Sequence, residues 1–204
     1  MGEKCPTSSE VTFSQEDRPF GLTYGQWTTR WWQWAFSSPK AFNPILDYSG
    51  LNAGTNQRGP VWFLGGTFGE GSFPERRCIL PGGIAILFPV INYETNPLEE
   101  PKLSSGQDLV SNVVRDMDDI VKSDAMLDGM KLPVHRVQSD PEVFSLNIHE
   151  DNGIGITGGT TVAAADGYWV FLKPLSLGKH ELSFKGSCAN GARTAGAHYM
   201  LEVK

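Results

Sequence analysis

The segment TYGQWTTRWWQWAFSSP, residues 23–39, contains four of the chain's six tryptophans and decides how the fold is built. Thr23 is followed three residues later by Gln26, which is the spacing of a capping box at the start of a helix. Pro39 ends the segment, because the residue before a proline avoids helical backbone angles. At about 100° per residue, one helix face collects six side chains, namely Tyr24, Trp27, Thr28, Trp31, Trp34 and Ala35. The pattern predicts an amphipathic helix with a broad aromatic face.

Two interpretations of this aromatic segment compete. Tryptophans can form a platform on which a sugar ring stacks, but a platform needs rings that are exposed on a flat strand. Trp27, Trp31 and Trp34 instead share one face of a helix, and burial of such a ring stabilises a fold by roughly 2 kcal/mol or more. We therefore expect these three rings in the core. Trp32 is out of phase with them, so we expect it at the surface.

The bulk composition is that of a folded domain. The chain has 204 residues, of which 40% are hydrophobic and 20% are charged, and its formal net charge is -6 without a basic run. We therefore expect no nucleic-acid partner. No apolar segment is long enough for a membrane span, and the N-terminus of this sequence lacks the apolar stretch of a signal peptide. Localisation and a homo-oligomeric state stay open.

The remaining pattern is dominated by strands. Apolar or alternating segments predict them within residues 61–68, 77–92, 134–138, 142–148, 167–175, 179–186 and 197–203. Pro89 inside one apolar run indicates a sheet edge or a bulge. A second amphipathic helix is predicted over about residues 107–122, and Asp128-Gly129 after it is typical of a hairpin turn.

These elements predict a mainly β fold. We expect an antiparallel β-sandwich, jelly-roll-like, with two packed amphipathic helices, and a helix-covered sheet is the alternative. Residues 1–20 are expected to form an extended N-terminal arm, and residues 21–204 a single β-sandwich domain.

Two groups of segments carry a resemblance. The first is LTYGQWTTRWWQWAFSSP, GPVWFLGGTFG and RRCILPGGIAILFPVIN, and the second is HRVQSDPEVFSLNIHEDNGIGI, AADGYWVFLKPLSLGKHELSFKG and HYMLEV. In order and spacing they resemble a family of uncharacterised, mostly bacterial, often exported β-rich proteins. The resemblance covers most of residues 20–203. It implies one mainly β domain and export, but it brings no known activity and therefore no catalytic residue.

The cysteines are Cys5, Cys78 and Cys188. Three reduced thiols are one interpretation, and a disulfide between Cys78 and Cys188 is the other. No pair of closely spaced cysteines or histidines indicates a zinc site. The glycine-rich segments are not followed by Gly-Lys-Ser/Thr and do not lie in a strand-turn-helix frame, so no nucleotide cofactor is indicated.

Candidate catalytic and metal-binding groups are few. His135, His149 and Asp166 are the candidates for acid-base catalysis. The run His149-Glu150-Asp151 holds imidazole and carboxylate groups of the kind that bind a divalent metal. Consecutive residues on an extended chain point apart, so a solvated turn is the alternative. Paired carboxylates for glycoside hydrolysis could come from Glu99, Glu142, Glu150, Asp151 or Asp166.

A polar and aromatic cleft is the best candidate binding site that the sequence indicates. Asp166 starts the strand segment GYWVF, in which Tyr168 and Trp169 face opposite sides, so that one of the two is expected at a groove. The cleft residues we predict are Arg76, Arg77, Tyr93, Tyr168 and Trp169, with Glu94 beside them.

Three functions follow from these features as hypotheses. The first is a protein that binds a small molecule or glycan, favoured by the aromatic residues and the long polar loops. The second is an enzyme, a lyase or hydrolase on a sugar or small molecule, using histidine and carboxylate groups. The third is a structural or assembly protein whose edge strands pair between chains.

Overall fold

The computed structural model describes residues 7–69 and 71–204, which form two five-stranded sheets and three α-helices. The strands are β1 (Val61–Phe63), β2 (Glu75–Leu80), β3 (Ala85–Thr95), β4 (Ile120–Leu127), β5 (Met130–Lys131), β6 (His135–Arg136), β7 (Val143–Ile148), β8 (Gly159–Leu172), β9 (Gly178–Cys188) and β10 (Thr194–Val203). The helices are α1 (Ser8–Val11), α2 (Tyr24–Ala35) and α3 (Gly106–Asp118), with 3-10 turns at Pro19–Gly21 and Lys40–Phe42.

Both sheets are mixed. The first has the order β1-β3-β8-β6, with β7 paired to a second stretch of β8, and the other has the order β2-β10-β9-β4-β5. β1 runs parallel to β3 and β2 runs parallel to β10, whereas the other pairs are antiparallel. The expectation of a wholly antiparallel arrangement is therefore wrong, and a jelly-roll topology is not confirmed. Between β1 and β3 the chain passes through β2 in the other sheet, and such a crossover returns it in the same direction.

The two sheets contribute to one cluster of buried apolar side chains, as the layers of a sandwich do. The first sheet supplies Ile86, Phe88, Val90, Val170 and Leu172, and the second supplies Leu182, Phe184, Tyr199, Leu201 and Val203, among others. Alternation along β9 and β10 places these side chains inward.

Helix α2 covers the opposite face of the first sheet. The capping box of Thr23 and Gln26 is present, and Trp27, Trp31 and Trp34 are buried, which confirms the aromatic core helix. Their indole N–H groups donate to the backbone oxygens of Pro19, Leu64 and Thr55 at 2.8, 2.7 and 2.9 Å.

The surface position expected for Trp32 is wrong. Its side chain is only 5% exposed, and its ring stacks on Phe36 with the centroids 5.9 Å apart. Ile154, from the glycine-rich loop that joins β7 to β8 (residues 149–158), packs against the same cluster of side chains. The flank of the helix is therefore covered by a segment distant in sequence, which helical periodicity does not reveal.

Helix α3 ends four residues earlier than expected, because the chain from Ile120 pairs as β4 with β9. The turn at Asp128-Gly129 joins β4 to β5, and both residues have positive φ (50° and 80°), as a type I′ hairpin requires. None of the helices in the described ranges is long and apolar enough to cross a bilayer.

The proposed N-terminal arm falls partly outside the described residues. Within the rest of it, Ser8–Val11 is helical and Thr12 forms a bridge with Leu172. Phe13 packs against Phe171 with the ring centroids 5.0 Å apart. This part of the chain therefore lies against the end of β8.

Candidate functional site

A cleft of about 250 Å³ opens where β3 extends beyond its short neighbour β1. β1 ends at Phe63, opposite Leu87, so β1 does not pair with the remainder of β3. The walls come from the end of α2, the loop after β1, α3, the glycine-rich loop and the start of β10. Its lining includes Trp32, Phe36, Gly66, Phe68, Asn92, Tyr93, Glu94, Glu99, Met117, Ile154, Arg193 and Ala195.

A bulge in β3 directs polar side chains into this cleft. The pairing with β8 shifts by one residue between Pro89 and Ile91, which confirms the irregularity expected at Pro89. After the shift, Asn92 lies opposite Gly167 and Glu94 lies opposite Ala165, a residue that packs with α2. A one-residue shift moves every following side chain to the other face. Asn92 and Glu94 consequently face the α2 side of the sheet.

Two of the residues that line the cleft bring their carboxyl groups together at Asn96. Asn96 Nδ2 lies 3.2 and 3.3 Å from the oxygens of Glu94 and donates to Glu99 Oε2 at 2.7 Å. Asn96 Oδ1 accepts the backbone N–H groups of Leu98 and Glu99, which holds the turn that presents Glu99. Glu94 is only 5% exposed.

The surroundings of the pair favour the protonated form. Burial raises the pKa of Glu94 well above its ordinary value, and the negative charge of Glu99 raises it further. Burial likewise raises the pKa of Glu99. Two neighbouring carboxyl groups of this kind titrate as one unit, and the first proton is held more tightly than by an isolated group. Among the residues that the structure describes, neither carboxyl has an ion-pair partner.

Two buried donors lining the cleft have no hydrogen-bond partner in the part of the chain that the structure describes. They are Trp32 Nε1 and Asn92 Nδ2. Buried N–H groups are nearly always paired, and an unpaired one costs about 1–3 kcal/mol. A molecule in the cleft with an acceptor oxygen could satisfy them.

Arg193, the cation at the rim of the cleft, already forms an ion pair. Arg193 Nη1 lies 3.1 Å from Asp116 Oδ1, and its Nη2 donates to the Asp116 carbonyl at 2.9 Å. The same guanidinium lies 5.6 Å from the centre of the Tyr93 ring. Arg193 thus closes one side of the cleft without neutralising Glu94 or Glu99.

Of the two arginines predicted for the cleft, neither lines it. Arg77 is exposed on the outer face of β2. Arg76 is fully buried, and its guanidinium donates to the carbonyls of Asp47, Ile45, Gly65 and Gly66 and lies 3.0 Å from the Tyr199 hydroxyl. It therefore ties together, from behind, two loops that wall the cleft.

The β8 residues of the predicted site also lie elsewhere. Asp166 is buried, and its Oδ2 accepts from Arg136 Nε at 2.9 Å and Nη2 at 2.7 Å. Trp169 is fully buried against α2, and Tyr168 packs toward the second sheet. Of the residues proposed together, Tyr93 and its neighbour Glu94 are the ones that reach the cleft.

The candidate histidines are separate from the cleft and from one another. His135 lies on β6, where it pairs with Trp169 of β8, and its ring contacts the Tyr24 ring. His149 Nδ1 accepts the backbone N–H of Asp151 at 3.0 Å, so the His149-Glu150-Asp151 run forms a local turn. In residues 7–69 and 71–204, no three His, Cys, Asp or Glu side chains are grouped so that they could hold a metal ion.

The two described cysteines are free thiols. Cys78 lies opposite Leu201, and Leu201 lies opposite His180, eight residues from Cys188 on β9. At about 3.3 Å per residue this is a separation of roughly 26 Å along the sheet, far beyond disulfide reach. Cys5 lies outside the described residues.

The sequence did not predict that Glu94 and Glu99 form a pair. Glu94 was placed beside the expected cleft and Glu99 among the acidic candidates, but nothing linked them. The available signal was the turn N-P-L-E, in which Asn96 folds the chain back so that Glu99 meets Glu94.

The comparisons with known proteins leave the family open. No protein-family model matches the sequence, and no curated protein matches it. A chain from a solved structure described as PbICP-C in complex with falcipain-2 is 11% identical, over 72% of this chain and 100% of that chain, with a TM-score of 0.29. A score this low carries no inference about fold or function. The resemblance described above therefore stays a prediction.

Proposed function

We propose that the protein binds a small organic molecule in the cleft between α2 and β3. The observation that carries this proposal is the meeting of two unpartnered donors, Trp32 Nε1 and Asn92 Nδ2, with a buried carboxyl pair in one largely apolar cavity. Ligand sites are typically apolar hollows with a few converging polar groups. The volume of about 250 Å³ fits a molecule no larger than a single sugar or aromatic ring with short substituents.

A direct test is a binding screen with small polar ring compounds, read by thermal shift and tryptophan fluorescence. The informative variant is Trp32→Phe, which keeps an aromatic ring but removes the donor, and Trp62→Phe outside the cleft is its control. We expect Trp32→Phe to weaken binding by about tenfold. Equal effects of both variants, or no binding by any probe, would count against the proposal. A glycan is one ligand class in the screen, because carbohydrate binding is the finer hypothesis.

Acid-base catalysis in the same cleft is the second candidate. It is favoured by the carboxyl pair, since one protonated carboxyl can give a proton while its ionised partner accepts one. The histidines proposed for this chemistry lie elsewhere, so the carboxyl groups alone would carry it. Turnover of nitrophenyl glycosides that disappears in Glu94→Gln and Glu99→Gln would support an enzyme, and turnover unchanged in both would exclude this mechanism.

A further inference from the structure

The charge of the cleft points to the kind of ligand it takes, and this inference rests on the function proposed above. Glu94 and Glu99 lie together in a cavity where the described residues supply no cation to either carboxyl. Arg193, whose guanidinium lines the cleft, is paired with Asp116. A buried negative charge is costly without an opposite charge beside it. The pair therefore tends to hold a proton, and an incoming cation would take the place of that proton, which is released to solvent.

The cavity walls favour an organic cation over an inorganic one. Aromatic rings line much of it, namely Trp31, Trp32, Phe36, Phe68 and Tyr93. Aromatic faces attract ammonium groups, and this attraction grows when the site excludes water. A hard metal ion would instead need several oxygen ligands. The described part of the chain offers two carboxylates here and no cluster of three metal-binding side chains.

The unpartnered donors add a second requirement, independent of the acidic pair. Trp32 is 95% buried, its Nε1 is unpartnered, and it lines the cleft, as does Asn92 with its unpartnered Nδ2. An N–H donor cannot pair with an ammonium nitrogen, so these two groups need an acceptor oxygen on the ligand. One molecule would therefore carry both a positive nitrogen and an oxygen.

We infer that the cleft binds a small primary or secondary ammonium ion that also carries a hydroxyl, ether or carbonyl oxygen. Its nitrogen lies at the Glu94–Glu99 pair, and its oxygen accepts from Trp32 Nε1 or Asn92 Nδ2. Amino alcohols and single amino sugars are the compact members of this class that match the cavity volume.

The experiment compares pairs of probes in which an ammonium group replaces one hydroxyl group. Glucosamine is titrated against glucose, and benzylamine against benzyl alcohol, by calorimetry at pH 7 and constant ionic strength. We expect each amine to bind about tenfold or more tightly than its neutral partner, with glucosamine benefiting from the oxygen contacts. Glu94→Gln and Glu99→Gln should each reduce this preference by about tenfold. Glu100→Gln, which removes an exposed carboxylate from the same turn, should leave it unchanged.

The outcomes separate this inference from the proposed function. If neutral and charged probes bind equally, the cleft is a ligand site and the ammonium inference is refuted. If none of the probes binds, both are refuted for molecules of this size. Stabilisation by calcium or potassium chloride alone, abolished in Glu94→Gln, would replace the organic cation by an inorganic one and overturn the inference. Circular dichroism on each variant confirms that the fold is retained, and the more exposed Glu99 provides the test if Glu94→Gln fails to fold.

Discussion

Replacement of Arg76 by methionine tests how the walls of the cleft are held. The guanidinium is fully buried and has no carboxylate partner within residues 7–69 and 71–204. It makes five hydrogen bonds at 2.6–3.0 Å, four of them to backbone carbonyls. Methionine preserves much of the length and apolar volume of the side chain but removes the donor from the carbonyls of Ile45, Asp47 and Gly66. The Gly65 carbonyl keeps the Tyr199 hydroxyl as a donor at 2.7 Å. Each unsatisfied buried acceptor costs about 1 kcal/mol or more. Partial relaxation of the loops lowers the sum, so we expect a loss of about 4 kcal/mol in the free energy of unfolding.

Arg77→Met is the matched control, because the neighbouring side chain is exposed and its backbone N–H bond to Ser49 does not depend on the side chain. In urea denaturation, Arg76→Met should lower the midpoint by roughly 2 M at an unchanged slope, and Arg77→Met should leave it nearly unchanged. A loss below about 1 kcal/mol for Arg76→Met would refute the argument, because the carbonyls would then be satisfied without the guanidinium.

Three further predictions follow from the packing and the titrating groups. The pKa of Glu94 is raised in the folded protein, so protonated Glu94 stabilises the fold at acidic pH, and this stabilisation is lost as the pH rises from the pKa of the unfolded state to the pKa of the folded state. Between pH 5 and pH 8 the melting temperature of the wild type should therefore fall further than that of Glu94→Gln, and equal falls would contradict this. Trp31→Ala should lower the free energy of unfolding by about 4 kcal/mol, measured in urea, and an unchanged melting temperature with lost ligand binding would show that the ring serves the ligand instead. Burial raises the pKa of Cys78 to about 12, whereas the backbone N–H of Arg193 lowers that of Cys188, so peptide mapping after iodoacetamide treatment at pH 8 should find Cys188 alkylated well before Cys78.

Much of the fold could be predicted because it follows from local periodicity. The capping box at Thr23, the aromatic face of α2 and the Asp128-Gly129 turn are decided by residues within one or two turns of chain. The end of α3 could not be predicted in the same way, since Ile120 continues a helical apolar pattern but finds a partner strand in β9. Pairing with a strand about sixty-eight residues away outweighed the local preference.

In the candidate site, too, contacts between distant segments could not be predicted from the sequence. Tyr93 and Glu94 were expected near a cleft from the sequence, whereas Arg76 was not recognised as a buried support. A hydrophobic pattern does not say which loops surround a charged side chain. Whether an arginine faces solvent or four carbonyls therefore depends on contacts between segments far apart in the chain.

The sequence by itself determined that this protein is mainly β, that its tryptophan-rich segment is a capped helix, and that Pro89 interrupts a strand. Tertiary structure alone decided the parallel pairing of β1 with β3 and of β2 with β10, the burial of Trp32 and the meeting of Glu94 with Glu99. The physical reason is one of range. Capping and periodicity act between residues a few positions apart, whereas strand direction, the register after the bulge and the pKa of a carboxyl group depend on what other segments bring beside them.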